Sequence, residues 1–427
     1  MRRHRRRIVI AVLVVLAALA GAALYSYHWV KAGGLRSVDT HRGDQASTND
    51  AQGDPPKPRR RTPAAPAAPD VVWPNFRFDE RGTGVNPDAI ARPPFQRRWV
   101  FNAKGLVELP PAIDNGVMVV NSYRTQQEES NVWGVDLANG KAKWRHRFPR
   151  GGLLPSSPAV TETTAFVASL DGTLTAYGLQ TGRQRWQFRA GPMESSPIVS
   201  AGTVYVGSWD KRLYAIDAAT GKPRWSFATG DKVKGSVSLT PSTVFFGSYD
   251  GNVYALNRQN GAVRWRTSVE LAPGRGVPFY STPSLGLGRV YIGGNDGSVY
   301  ALDAVDGHQI WRFGTSNYVY ASPTLYNGRL YFGNFDGDFF CVDAQSGSQV
   351  WRFDTNGQVL GSSVVAGGIV YFSTLSGQKV GRTYGLDPNS GKVAIELKGG
   401  SYTPLIADRN WVYFVHGLNV QALEGAR

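Results

Sequence analysis

The sequence has a single cysteine, Cys341. No disulfide and no thiolate metal centre can be built within the chain, and cysteine usage says nothing of the redox compartment. Cys341 occupies a repeat position that other copies fill with Ala or Gly, so a small buried side chain is expected there rather than a reactive thiol. Histidine is sparse as well. Of six, His4, His28 and His41 precede the repeats described below, and His146, His308 and His416 fall on separate copies. None has triad-like or zinc-like spacing, and no phosphate-cradling glycine loop is present. No catalytic constellation and no metal site are therefore expected. Acidic residues number 32 against 47 basic ones, and the excess is uneven, because residues 1–72 alone hold 12 Lys/Arg against 5 Asp/Glu. In the rest of the chain Arg and Lys recur once per repeat, chiefly just before a Trp, which spreads them around the body. A nucleic-acid binder needs them gathered on one face, so nucleic acid is not an expected partner.

The N-terminus sets an address. Five arginines precede Ile8, and an apolar run from Ile8 to Leu24 passes into Tyr25, Tyr27 and Trp29. As a helix, residues 8–30 would reach roughly 34 Å, enough for the hydrocarbon core of a bilayer. Basic residues before the span and aromatics after it put residues 1–7 in the cytoplasm and the rest of the chain outside. Cleavage at Ala20-Gly21-Ala22 is the rival reading; the length of the run and its aromatic end favour an uncleaved signal-anchor. Both readings export the body to the extracytoplasmic side of the cell membrane. No cysteine follows the apolar run, which excludes lipoprotein anchoring. Residues 31–72, rich in Pro, Ala and Arg, read as a disordered linker with polyproline-like spacing.

From residue 73 onward the dominant signal is a repeat. Glycine is abundant at 50 residues and aromatics reach 12%, a composition of turns and strands. A Gly four residues before a Trp recurs at Gly140, Gly182, Gly221, Gly261, Gly307 and Gly347, with Trp144, Trp186, Trp225, Trp265, Trp311 and Trp351. A seventh copy has Gly391 with Ile395 in place of Trp. Within each period of about forty residues, alternating apolar runs flank Asp-Gly turns such as Asp250-Gly251 and Asp296-Gly297, a strong hairpin signal. A Ser/Thr-Pro pair, as at Ser196-Pro197 and Thr282-Pro283, opens another strand. Four short strands per period is the content of one propeller blade. Gln96–Phe101 supplies one strand before the first copy, and Tyr402–Leu423 supplies three after the seventh. The expected fold is all-β: an eight-bladed β-propeller of four-stranded antiparallel blades over residues 73–427, one blade closed by both ends of the chain, preceded by one transmembrane helix.

The stretch Ala215-Ile216-Asp217-Ala218-Ala219-Thr220-Gly221-Lys222-Pro223-Arg224-Trp225 resembles the tryptophan-docking motif of PQQ-like propellers, and Trp73-Pro74-Asn75-Phe76-Arg77 resembles the lead-in of such domains. The resemblance covers about residues 73–425. It implies that the six Trp are structural, each wedged between adjacent blades against a Gly turn. Two branches share the repeat. Quinoprotein dehydrogenases hold PQQ and calcium at the top of the channel, commonly beside adjacent cysteines, and carry long insertions. The BamB-like branch is non-catalytic. This chain has neither a cysteine pair nor such an insertion, so no cofactor is expected, and PQQ with calcium is the alternative that a quinoprotein dehydrogenase would require. BamB proteins are lipoproteins and this chain is not, so the resemblance implies a non-catalytic envelope propeller and nothing narrower.

Binding residues are sought on loops that a rigid scaffold presents. The longest connection between copies, residues 266–280, contains Arg275 and Tyr280. Near it in the order of copies lie Lys232 and Lys234, then Tyr318 and Tyr320. This cationic, aromatic rim of the channel mouth is the candidate ligand-binding set. It suits an acidic peptide, a polyanion or a sugar, through charge-assisted hydrogen bonds and ring contacts, and the expected partners are proteins or polymers of the cell envelope.

Overall fold

The computed structural model describes residues 72–426 apart from 125–128, 149–151, 356, 376–380, 401 and 403–404. The expected cytoplasmic tail, transmembrane segment and linker lie outside the described residues. Among those described, no helix is long and apolar enough to cross a membrane.

Eight four-stranded antiparallel sheets form the blades of a propeller. Blade 1 comprises Ala112–Asp114, Val117–Arg124, Glu129–Asp136 and Ala142–Phe148. Blades 2 to 7 follow within 159–189, 198–228, 238–268, 284–314, 324–354 and 364–398. Blade 8 joins Leu405–Ala407, Trp411–His416 and Asn419–Ala426 to Arg92–Asn102, the strand from the other end of the described chain. The short first strands of neighbouring blades approach one another around the axis. Second strands such as Thr243–Gly247 are buried at every residue, because both faces of a blade lie against its neighbours. Fourth strands such as Pro223–Ala228 alternate between exposed and half-buried positions. They form the outer edge and carry the arginines.

What joins one blade to the next follows from the Gly-Trp spacing. The Trp of one blade lies on the Gly of the following blade. Trp186 covers Gly221, Trp225 covers Gly261, and the same pairing runs from Trp99 on Gly140 to Trp351 on Gly391. Each indole N–H then donates to a carbonyl in the same turn, as Trp186 does to Ala218 at 3.0 Å and Trp225 to Arg258 at 3.1 Å. The ring's own blade adds an aromatic from its second strand: Tyr205 is 5.9 Å from Trp225 between centroids, and Phe245 is 5.8 Å from Trp265. Gly261 has φ +73, and a Cβ there would come within 2.7 Å of the Trp225 ring. Backbone conformation and close approach both demand glycine.

Two oddities of the sequence find their cause here. Cys341 pairs directly across its sheet with Trp351, as Ala215 does with Trp225 and Ala255 with Trp265. The indole leaves room only for a small side chain, and burial pushes the Cys341 thiol up to about 12. Ile395 stands where a Trp would, because the third and fourth strands of blade 8 come from opposite ends of the sequence. No turn connects them, so no glycine waits to receive a ring. Trp99, taken in the sequence only as part of a terminal strand, makes a full docking contact on Gly140, with its N–H 3.0 Å from the Leu137 carbonyl.

Residues 73–91 cross one end of the channel and touch the first strand of every blade. Trp73 exchanges backbone hydrogen bonds with Ile113, and Pro74 accepts from Val160. Asn75 takes the Val199 N–H, while Glu80 and Arg81 carbonyls accept from Leu239 and Leu285. Gly84 accepts from Val365, and the Asn86 amide donates to Ala407. Arg77 completes the set at blades 6 and 7. Its buried guanidinium donates to the carbonyls of Pro323 and Ser363, both at 2.9 Å, and to Thr324 Oγ1. Burial pulls Arg77 down to about 9, against the opposing pull of Asp79, which leaves it charged at neutral pH. Shallow depressions of about 290 Å³ flank this segment, one walled by Arg81, Leu285 and Leu325, the other by Pro74, Phe78 and Val199.

Two outcomes are expected in equilibrium denaturation. Trp225→Ala lowers the unfolding free energy by about 3–5 kcal/mol, and Gly261→Ala costs at least about 1–2 kcal/mol from its backbone alone; wild-type stability for both would dismiss the docking contact. Arg77→Leu takes a donor from the buried Pro323 and Ser363 carbonyls; Ser363 keeps the Thr324 hydroxyl at 2.7 Å, and the Pro323 carbonyl left without its donor costs about 1–3 kcal/mol. An unshifted thermal midpoint would show that the carbonyls do not depend on the guanidinium.

Candidate functional site

The lead-in occupies one end of the hub, and the connections between blades meet the middle hairpin turns at the other. One backbone bond, repeated from blade to blade, defines equivalent positions there. Trp209 N donates to Pro192 O, Tyr249 to Lys232, Asn295 to Pro278 and Phe335 to Tyr318. In blade 2 the pair is Leu170 and Leu153, and in blade 7 it is Leu375 and Gln358. Two residues after each acceptor stand Glu194, Lys234, Tyr280 and Tyr320 in blades 3 to 6, against Pro155 in blade 2 and Leu360 in blade 7. The backbone is the same in all six, yet blades 3 to 6 place aromatics and charges where their flanking blades place Leu and Pro.

Glu194 is the centre of the cluster. Its carboxylate accepts from Trp209 Nε1 at 3.0 Å and from the Tyr280 hydroxyl at 2.9 Å, and pairs with Lys234 Nζ at 2.9 Å. The Lys234 ammonium sits 4.7 Å from the Trp209 ring centroid, 5.2 Å from Tyr249 and 5.8 Å from Tyr280, a cage of negative ring faces around a cation. Lys232 lies 4.5 Å from the Trp209 ring and makes no ion pair among the described residues. Burial first, then the Glu194 charge, hold the Tyr280 and Tyr249 phenols well above their usual value, so both are neutral donors at physiological pH.

Across Tyr280 the cluster continues as a row of rings. Tyr320 meets Tyr280 edge-on at 5.6 Å, and Tyr318 stacks on Tyr320 at 5.6 Å with 24° between planes. Phe335 closes on both at 6.3 and 6.4 Å. Tyr318 is 45% exposed, and beside it the Asp336 carboxylate accepts from the Asn317 amide at 2.7 Å and from the Ser316 hydroxyl at 2.5 Å. Those two hydrogen bonds hold Asp336 below the ordinary carboxylate range.

Of the rim expected from the sequence, Lys232, Lys234, Tyr280, Tyr318 and Tyr320 are thus neighbours. Arg275 is not among them. It lies exposed in a separate two-stranded hairpin, Glu270–Ala272 with Arg275–Gly276, that leaves the connection between blades 4 and 5. Sequence reasoning missed Glu194, Trp209 and Tyr249. Aligning the copies column by column at the position before each Asp-Gly turn would have exposed the change from Leu to aromatic.

The turn aspartates are accounted for locally: Asp250 Oδ1 accepts from Asn252 N at 3.0 Å and Asp296 Oδ1 from Ser298 N at 3.1 Å. Among the described residues, one group has metal-ligand proximity, Asp303, Asp306 and His308 on an outer turn of blade 5. There Asp303 Oδ1 already accepts from Val305 N at 2.7 Å.

Glu108 enters the hub as Glu194 does. Val107 N donates to Gly417 O of blade 8, the counterpart of Met193 N on Ser169 O. Burial raises the Glu108 carboxyl from about 4.5 to about 7, and Tyr402, itself raised by burial and then by Glu108, lies nearby. The folded protein keeps a proton on Glu108 that the unfolded chain has released. The stability this contributes is complete below about pH 4.5 and is lost as the pH rises to about 7. Glu108→Gln should flatten that decline when unfolding free energies are measured across this window; an unchanged slope would remove Glu108 as its source.

A family model described as outer membrane protein assembly factor BamB matches residues 128–280 and 270–420. The 1-butanol dehydrogenase (cytochrome c) of Thauera butanivorans is 28% identical over 130 residues, which cover 27% of this chain and 18% of that protein. The match thus spans less than a fifth of the relative's length. BamB from Moraxella catarrhalis superposes with a TM-score of 0.63 at 18% identity, over 77% of this chain and 99% of its own. The quinohemoprotein alcohol dehydrogenase from Comamonas testosteroni gives 0.69 at 14% identity, over 85% and 82% respectively. A europium-containing methanol dehydrogenase gives 0.66 at 16%, over 82% and 90%. At these identities the structural likeness is one of fold.

Proposed function

The chain belongs to the PQQ-like β-propeller repeat family, and from that premise we propose that it is a non-catalytic scaffold, tethered to the cell membrane and presenting its propeller on the extracytoplasmic side. Envelope proteins or polymers are the partners, and the mouth built by blades 3 to 6 is the face that binds them. The observation carrying this reading is the filling of that mouth. Glu194 has both oxygens engaged by Trp209, Tyr280 and Lys234, and two ammonium groups share the Trp209 ring. Calcium takes about six to eight oxygen ligands, and a mouth whose central carboxylate is already neutralised by lysine is a poor beginning for such a set. Cys341 is committed to the space opposite Trp351, so no cysteine pair can border a cofactor. These residues do not fit PQQ and calcium.

The rival reading, a PQQ- and calcium-dependent quinoprotein dehydrogenase, draws on the resemblance to 1-butanol dehydrogenase over 130 residues. A crosslinking experiment in native membranes, read beside a cofactor assay, separates the two. With a photo-crosslinking residue at Lys232, adducts with one envelope component are expected, and none from Lys222 on the outer edge of blade 3. The purified full chain, supplied with PQQ and calcium, is expected to reduce no dye with primary alcohols. Dye-linked alcohol oxidation overturns the scaffold reading, as does equal labelling from both positions.

A further inference from the structure

We propose that the aromatic crescent of blades 3 to 6 is a binding site for a hydroxyl-rich glycan chain, with Tyr318 as the platform for one sugar ring and Asp336 as acceptor of its adjacent hydroxyls. This rests on the reading of the mouth as the binding face and names its ligand class. The starting point is a departure from symmetry. Each blade must solve the same packing problem, and each does so with the same Trp, Gly and Ser/Thr-Pro positions. Nothing in that problem asks for rings and charges at the mouth, because blades 2 and 7 close the same backbone bonds with Leu170 and Leu375. Four consecutive blades nevertheless carry them.

The chemistry within the crescent favours sugars. Tyr318 has one face covered by Tyr320 and an edge held by Phe335, yet remains 45% exposed. A rigid ring so buttressed offers a flat surface to the C–H face of a pyranose, whose weakly positive hydrogens meet the negative face of the phenol. Asp336 lies alongside with one hydrogen bond on each oxygen. A carboxylate offers about four lone-pair sites, so each oxygen can still accept one hydroxyl, the pattern of a vicinal diol. At the far end of the crescent the Lys232 ammonium, held over Trp209 without an ion pair among the described residues, donates to a hydroxyl or to the carboxylate of an acidic sugar. A polypeptide would be recognised differently. One anchored by an apolar side chain needs a pocket for it, and one that extends a sheet needs an open strand edge. The two depressions described lie at the opposite end of the hub, and the sheets' open edges are the fourth strands on the outside of the ring.

The test is titration of the detergent-solubilised full chain with cellohexaose, chitohexaose and hexagalacturonic acid, followed by calorimetry and tryptophan fluorescence, with a tyrosine-rich decapeptide as the competing probe. Saturable binding of at least one oligosaccharide is expected, stronger for the hexamer than for the dimer of the same sugar. Preference for the galacturonate over the neutral chains assigns Lys232 to a carboxylate, and the reverse preference assigns it to a hydroxyl. Tyr318→Ala and Asp336→Asn should each weaken binding about tenfold, while Gln358→Ala, at the equivalent place in blade 7, leaves it unchanged. All three positions are at the surface, and matching thermal midpoints certify folding. Failure of all three sugars, equal loss in Gln358→Ala, or Tyr318-dependent binding of the peptide instead overturns the proposal. Crosslinks from Lys232 to a polypeptide without sugar binding would remove this inference and leave the scaffold reading in place.

Discussion

An indole laid on the glycine of the next blade is the contact on which everything else in this molecule depends. It fixes the distance between neighbouring sheets, because the ring is gripped by an aromatic on its own side and by bare backbone on the other. It dictates the small residue across the sheet, whether Ala215, Ala255 or Cys341. It also explains the one copy that differs. Where blade 8 has no turn to offer, Ile395 suffices, and the ring is completed instead by pairing Arg92–Asn102 with Asn419–Ala426 along their whole length. Closure by a sheet ladder joins remote parts of the sequence with main-chain hydrogen bonds and supplies the fourth, outer strand of the blade.

With the blades fixed from outside, the hub is free to be used in two ways. At one end the lead-in satisfies a backbone group of every first strand, an arrangement that burying polar groups in a narrow channel makes obligatory. Arg77 shows how far that goes: a charged group is buried without a carboxylate bonded to it, and main-chain carbonyls do the work of a counter-ion. At the other end nothing comparable is required. Local turn geometry and one repeated backbone bond hold the connections in place, so the side chains they display are not dictated by the fold.

That division also decides what could be read from the sequence. Blade number, strand content and closure by the chain ends were legible because the same local pattern recurs at about forty residues, and each copy vouches for the others. Trp99 as a further docking ring was not legible, since its glycine lies in the following blade and the motif before it is missing. The lead-in resembled a known element, but its hydrogen bonds to eight separate strands leave no local signature. At the mouth, Lys232, Lys234, Tyr280, Tyr318 and Tyr320 were found by their nearness in the order of copies. Arg275 was drawn in by the length of its connection, which folds into a two-stranded hairpin of its own. Glu194 escaped notice because a lone carboxylate acquires meaning only through Trp209, Lys234 and Tyr280, which three successive blades supply.

The same reasoning bears on how function is inferred in a fold shared by BamB and by alcohol dehydrogenases. Similarity of fold cannot separate them, since both superpose on this chain to a like degree, and function resides in sites placed on folds. A repeated structure supplies its own control, however. Blades 2 and 7 show what the mouth looks like when only folding is served: Leu, Pro and Gln on the same backbone. Against that baseline the rings and charges of blades 3 to 6 are an addition with a cost, because two ammonium groups crowd one indole and the Glu194 carboxylate pairs with Lys234 alone. The half of the mouth built by blades 3 to 6 is therefore the place to test for a bound partner.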